Sequence, residues 1–115
     1  MVEIVKTRLS AIGYEVVTAK DGDQAIEKAF TLLPNIIVID KNMAPMDGIK
    51  ACKILKGDPR TRRIPILIFT CEQTYDLEEN CINAGAEGVI YKPQVSELVS
   101  AIKTLLSGKK LDDWE

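Results

Sequence analysis

Apolar residues along the chain fall into two periods that alternate, one of helices and one of strands. Val2, Val5, Leu9 and Ile12 repeat at helical spacing, and Gly13 suits a C-cap. Tyr14–Ala19, YEVVTA, is β-branched and aromatic and predicts a strand. Asp21, with Gln24 three residues on, forms a capping arrangement for a helix to about Leu33. That helix turns Ala25, Ile26, Ala29, Phe30 and Leu33 inward and stops at Pro34. Four β-branched residues, Ile36 to Ile39, then run into Asp40, a pattern expected of a strand buried on both faces.

The alternation continues to the last helix. Asp47 suits the N-cap of a helix with Ile49, Cys52 and Leu55 inward. Gly57-Asp58-Pro59 predicts a turn and Arg60–Arg63 a polar connector. Ile66–Phe69 forms a second continuous apolar strand, ending at Thr70. Thr74 suits the cap of a short helix whose first turn is acidic (Asp76, Glu78, Glu79), with Leu77, Cys81 and Ala84 apolar and Gly85 closing it. Gly88–Tyr91 predicts a short strand ending at Lys92-Pro93. Ser96 is the expected cap of a last helix with Leu98, Ile102 and Leu105 inward, stopped by Gly108. Lys109–Glu115 is a polar tail carrying Trp114. The order α-β-α-β-α-β-α-β-α with short links predicts an α/β domain, a doubly wound parallel sheet covered by helices on both faces.

Composition narrows the chemistry. At 115 residues there is room for one domain and one core. A net charge of −2 points to neither a nucleic-acid nor a membrane partner. The chain has no His, which removes the commonest general base and metal ligand. Cys52, Cys71 and Cys81 lack CxxC spacing and predict reduced, mostly buried thiols in a cytoplasmic protein. The N-terminus has no basic region followed by an apolar signal core. Lys53, Lys56, Arg60, Arg62 and Arg63 cluster around one loop and predict a solvated basic face.

Three predicted strands end in polar residues: Asp40, Thr70 and Lys92. A strand often ends in a polar residue because it meets solvent there, so each alone carries little. Parallel strands, however, place their carboxyl ends at one sheet edge, where open α/β sheets bind ligands. A carboxylate, a hydroxyl and an ammonium are therefore expected to converge.

With these motifs the chain resembles a response-regulator receiver domain of the chemotaxis type, which is flavodoxin-like in fold. The matching residues are IIVID ending at Asp40, MDG at Met46–Gly48, GDPRTRRIP at Gly57–Pro65, ILIFT ending at Thr70, AGAEG at Ala84–Gly88 and YKP at Tyr91–Pro93. The resemblance implies a signalling protein rather than an enzyme. It implies phosphoryl transfer to Asp40 from a histidine kinase or phosphotransfer protein. Lys92 and Thr70 would each meet a phosphoryl oxygen, and Cys71 would be a small flanking residue. Asp40 and the backbone carbonyl of Asn42 would bind Mg²⁺, which takes hard oxygen ligands in octahedral geometry.

The chain also departs from the pattern. Family members open with a strand ending in an acidic pair that holds Mg²⁺. This chain starts after it, and Glu3 lies in the first helix. The expectation is a sheet with its first strand missing, weak Mg²⁺ binding, and a plain Asp40–Lys92 ion pair. Ala44 stands where the family has Pro, which here is Pro45. Val89 stands where the family has an aromatic switch residue. An open sheet edge predicts self-association into a homodimer, by strand exchange or sheet extension. Two other functions compete. One is a phosphorylation-independent interaction module on the same fold. The other is an aspartate-nucleophile phosphatase of the haloacid-dehalogenase kind, disfavoured because Asn42 replaces its second Asp.

Overall fold

A computed structural model describes residues 2–19, 22–40, 48–71, 75–92 and 94–108. The helices are α1 (Val2–Ala11), α2 (Gly22–Leu32), α3 (Gly48–Lys56), α4 (Leu77–Asn83) and α5 (Val95–Leu106). The strands are β1 (Ile37–Ile39), β2 (Ile66–Thr70) and β3 (Gly88–Tyr91). The three pair in parallel in the order β1-β2-β3, with Ile39 opposite Ile68 and Thr70 opposite Tyr91. Among the described residues no helix is long and apolar enough to cross a membrane.

Every residue of β2 is buried, as a central strand covered on both faces requires. Side chains alternate across the sheet, so Ile66 and Ile68 face one way and Leu67 and Phe69 the other. The first pair joins Ile39 with Cys52 and Leu55 of α3, Leu77 and Cys81 of α4 and Ala29 of α2. The second joins Ile90 with Leu9 of α1 and Leu98, Ile102 and Leu105 of α5. The sheet thus has α2, α3 and α4 on one face and α1 and α5 on the other. The expected doubly wound architecture is present.

Five expectations are corrected. Ile36–Ile39 is not a strand buried on both faces: β1 covers Ile37–Ile39, only Ile39 of it is buried and Val38 is 37% exposed, because β1 lies at the edge of the sheet among the described residues. Tyr14–Ala19 is not a strand: it runs without ladder bonds, and β1 pairs with β2 alone among the described residues. Its composition suits a strand, but a strand exists only where a neighbour takes its backbone groups. Tyr14 and Val16 still pack on the α5-side core, while Val17 is 54% exposed. Leu33 does not face inward. It lies past the end of α2 at φ 47°, more than half exposed, because Pro34 forces the chain out of the helix there. Ser96 is not the cap of α5: the helix begins two residues earlier than that cap implies, with Gln94 at the N-cap, and buries Val95. The Ser96 hydroxyl instead accepts a 3.2 Å hydrogen bond from Arg8 of α1. Cys71 is exposed, whereas Cys52 and Cys81 are buried as expected. The expected caps Asp21, Asp47 and Thr74 lie outside the described residues.

The basic loop is less solvated than its composition suggests. Lys56 Nζ donates to the carbonyls of Arg62 (3.2 Å) and Ile64 (2.9 Å) and pairs with Glu87 Oε2 at 3.1 Å. Glu87 Oε1 accepts the Ile66 N–H at 2.7 Å. One lysine and one glutamate therefore fasten the α3–β2 connector to the start of β2. Gly85, at φ +103°, lies against the Lys56 stem, where a Cβ would come within 2.7 Å of Cγ. Arg60 meets Asp58 at 3.0 Å and stacks 4.4 Å from the Phe30 ring centroid.

Candidate functional site

Register decides what meets at the carboxyl edge of the sheet. Asp40 follows the Ile39–Ile68 rung at the end of β1. Thr70 closes β2 opposite Tyr91, and Lys92 is the next residue of the chain. The Lys92 N–H donates to the Thr70 carbonyl at 2.9 Å, which carries the ladder one step further. Three unlinked sequence positions are thereby brought to one edge, as the strand ends predicted.

Lys92 Nζ crosses this edge to Asp40 Oδ2 at 2.5 Å. Its ammonium also sits over the Phe69 ring, 5.7 Å from the centroid. The pair is half-buried, with the Lys92 side chain 25% and the Asp40 side chain 35% exposed. An incoming group can therefore reach the carboxylate from solvent. Thr70 is fully buried at the same edge. Asn42, Ala44 and Pro45 lie outside the described residues.

The donor set bears on a divalent cation. Mg²⁺ takes several hard oxygens in near-ideal octahedral geometry. Among the described residues no group of three His, Cys, Asp or Glu is placed to hold a metal ion. One oxygen of Asp40 is already shared with Lys92. The described side chains therefore do not by themselves fit a Mg²⁺ cage.

Sequence reasoning missed Tyr91. Val89 and Tyr91 both pack against the core on the α3–α4 side, so the two share one face of β3. The Tyr91 hydroxyl donates to Glu78 Oε1 in the first turn of α4 at 2.7 Å. Burial, then this bond, push the phenol up to about 12. It therefore stays protonated, and a donor, across the physiological range. The two-residue period from Val89 was the available signal; the reach of the phenol to α4 had none.

Comparison with known proteins agrees with this arrangement. The family model described as the response regulator receiver domain matches residues 1–103. The chain is 38% identical over 92 residues to the response regulator PleD of Caulobacter vibrioides, covering 80% of this chain and 20% of PleD. The chain thus spans only a fifth of that relative's length. Its fold matches the chemotaxis response regulator CheY4 of Vibrio cholerae with a TM-score of 0.82 at 30% identity, over 90% of this chain and 87% of that one. It also matches the receiver domain of the sensor histidine kinase PA1611 of Pseudomonas aeruginosa, with a TM-score of 0.82 at 27% identity over 91% and 87% of the two chains. That structure holds a magnesium ion in its active-site cleft. The sheet edge that joins Asp40 to Lys92 thus sits in a fold and a sequence pattern that agree, and the chain belongs to the response regulator receiver domain family of two-component signalling.

Proposed function

We propose that Asp40 is the phosphoryl acceptor of this receiver and that Lys92 and Thr70 act on the transferred group. The observation that carries this reading is the Lys92–Asp40 contact across the carboxyl edge of the sheet. A carboxylate oxygen of Asp40 attacks phosphorus, and the bond from phosphorus to the donor's histidine nitrogen breaks with its electron pair left on that nitrogen. Charge on the phosphoryl oxygens needs neutralisation, since such transfers depend on positioning and electrostatics. Lys92 turns its ammonium from Asp40 Oδ2 to one of those oxygens, and the Thr70 hydroxyl donates to another.

The donor in this reading is a histidine kinase or a phosphotransfer protein, met in the cytoplasm. Residues 1–115 act as one receiver unit, of which 109–115 is a polar tail. Mg²⁺ would supply further charge neutralisation, with Asp40 giving one oxygen and the Asn42 carbonyl another. Binding would be weak in this reading, because among the described residues no group of three carboxylate, thiol or imidazole ligands is placed to hold the ion. Self-association is part of the same reading. β1 is an edge strand among the described residues and Val38 on it is 37% exposed. Such an edge is a template for a second copy.

Incubation with Mg²⁺ and acetyl phosphate tests the assignment. The expected result is a mass gain of one phosphoryl group that maps to Asp40 and is lost in Asp40→Ala. Absence of any gain in Mg²⁺ excess would leave the phosphorylation-independent module as the function. Sedimentation tests the dimer, and a compact monomer at high concentration would refute it.

A further inference from the structure

The hydrogen bond between Tyr91 and Glu78 joins two parts of the molecule with different roles. Glu78 lies in the first turn of α4, a seven-residue helix whose N-cap residue Asp76 makes no side-chain cap bond. Tyr91 is the last residue of β3, in register with Thr70 and directly before Lys92. Its side chain is partly buried and packs against the core on the α3–α4 side. Its hydroxyl is held from the helix at 2.7 Å. The chain must leave β3 at this residue and carry the Lys92 ammonium over the Phe69 ring and across the edge to Asp40. The direction of that exit depends on where the Tyr91 backbone is held. Three restraints hold it: the ladder to β2, the Gln94 N–H that donates to the Tyr91 carbonyl at 3.0 Å, and the phenol on the α4 side.

We propose that Tyr91 is a positioning residue for Lys92, anchored by Glu78, so that the order of α4 and the placement of the lysine on the acceptor are coupled. This rests on the reading of Asp40 as the phosphoryl acceptor. Coupling of this kind is reciprocal: what loosens α4 loosens Lys92, and what draws Lys92 away from Asp40 loosens the bond to α4. The phenol remains a donor to high pH because partial burial and the bond to Glu78 both favour its protonated form, so the anchor is not switched by ordinary changes in acidity.

Hydrogen exchange and phosphorylation of the whole chain test it. Tyr91→Phe keeps the ring and removes the anchor, and Glu78→Ala removes the acceptor. Each should speed exchange of the Lys92 amide, which is bonded to Thr70, and of the α4 amides by about fivefold, the factor a net hydrogen bond carries. The Leu98 amide, bonded to Gln94 on the opposite layer, should not change. The double variant should match either single one, because both remove the same bond. Glu78→Gln, which keeps an acceptor, should retain most of the protection. The rate at which acetyl phosphate modifies Asp40 should fall in step with the loss of Lys92 protection. Exchange at Lys92 within twofold of the parent in Tyr91→Phe would overturn the proposal, as would independent, additive effects of the two single variants. If the parent chain takes up no phosphoryl group, the acceptor reading fails, while the exchange at Lys92 still decides the role of Tyr91.

Discussion

Replacing Lys92 with Met separates what the ion pair does for the fold from what it does for the chemistry. Met keeps an apolar stem and removes the ammonium that sits over the Phe69 ring and reaches Asp40 Oδ2. The stability cost follows from solvation. With Asp40 35% and Lys92 25% exposed, water screens the pair, and ion pairs in such settings contribute about 0.2–1 kcal/mol. The stranded carboxylate keeps its access to water, so the heavy penalty of a lone buried charge does not apply in full. The expected loss is about 1 kcal/mol or less, a shift of about 0.5 M in the urea midpoint at the usual denaturant sensitivity of a small domain. The chemical cost is larger. A charged donor aimed at developing charge contributes on the order of 100-fold in rate when it is removed. Lys92→Met should therefore slow modification of Asp40 by acetyl phosphate about 100-fold while barely moving the unfolding curve. Two results would refute the reasoning. A stability loss above about 3 kcal/mol would make the pair a buried keystone of the fold. A phosphorylation rate within about threefold of the parent would take Lys92 off the phosphoryl group.

The other predictions concern the frame around the site. Burial pushes the Cys52 thiol up to about 11 from 9.0, so the folded state favours the neutral thiol. That contribution is whole below about pH 9 and is lost as pH rises toward 11, by on the order of 2 kcal/mol. Urea melts of Cys52→Ala should show a shallower alkaline decline than the parent, and an identical decline would refute the assignment. Gly85→Ala puts a side chain at φ +103° and a Cβ 2.7 Å from Lys56 Cγ, so calorimetry should show a loss of about 1–3 kcal/mol. Lys56→Met strips partners from two carbonyls and from Glu87 and should cost about 2–4 kcal/mol. Adding Glu87→Gln should cost less than the sum of the two single changes, because both act on one network.

The unequal legibility of the chain has a physical cause. ILIF was readable as a strand buried on both faces because it is a continuous apolar, β-branched run, and GVIY as a short strand. IIVI has the same composition, yet only Ile39 of β1 is buried and Val38 is 37% exposed, because burial also depends on where the strand lies in the sheet. Helix existence was readable from 3.6-residue spacing, but helix ends were not always. Whether Ser96 or Gln94 starts α5 depends on burying Val95, which is settled by the neighbouring elements. YEVVTA has the composition of a strand, yet it remains outside the sheet because a ladder needs a partner that propensity cannot provide. The exposure of Cys71 and the outward turn of Leu33 were decided in the same way, by position at an element's end.

For the site, the sequence by itself determined three things. These were which residues end the strands, that parallel strands would bring Asp40, Thr70 and Lys92 to one edge, and the family those residues match. Only the tertiary structure decided how they meet. It placed the ammonium of Lys92 on Asp40, buried Thr70, and tied Tyr91 to Glu78. Side-chain reach across a sheet edge depends on register and packing between segments far apart in the chain, and neither is written in any local run of residues.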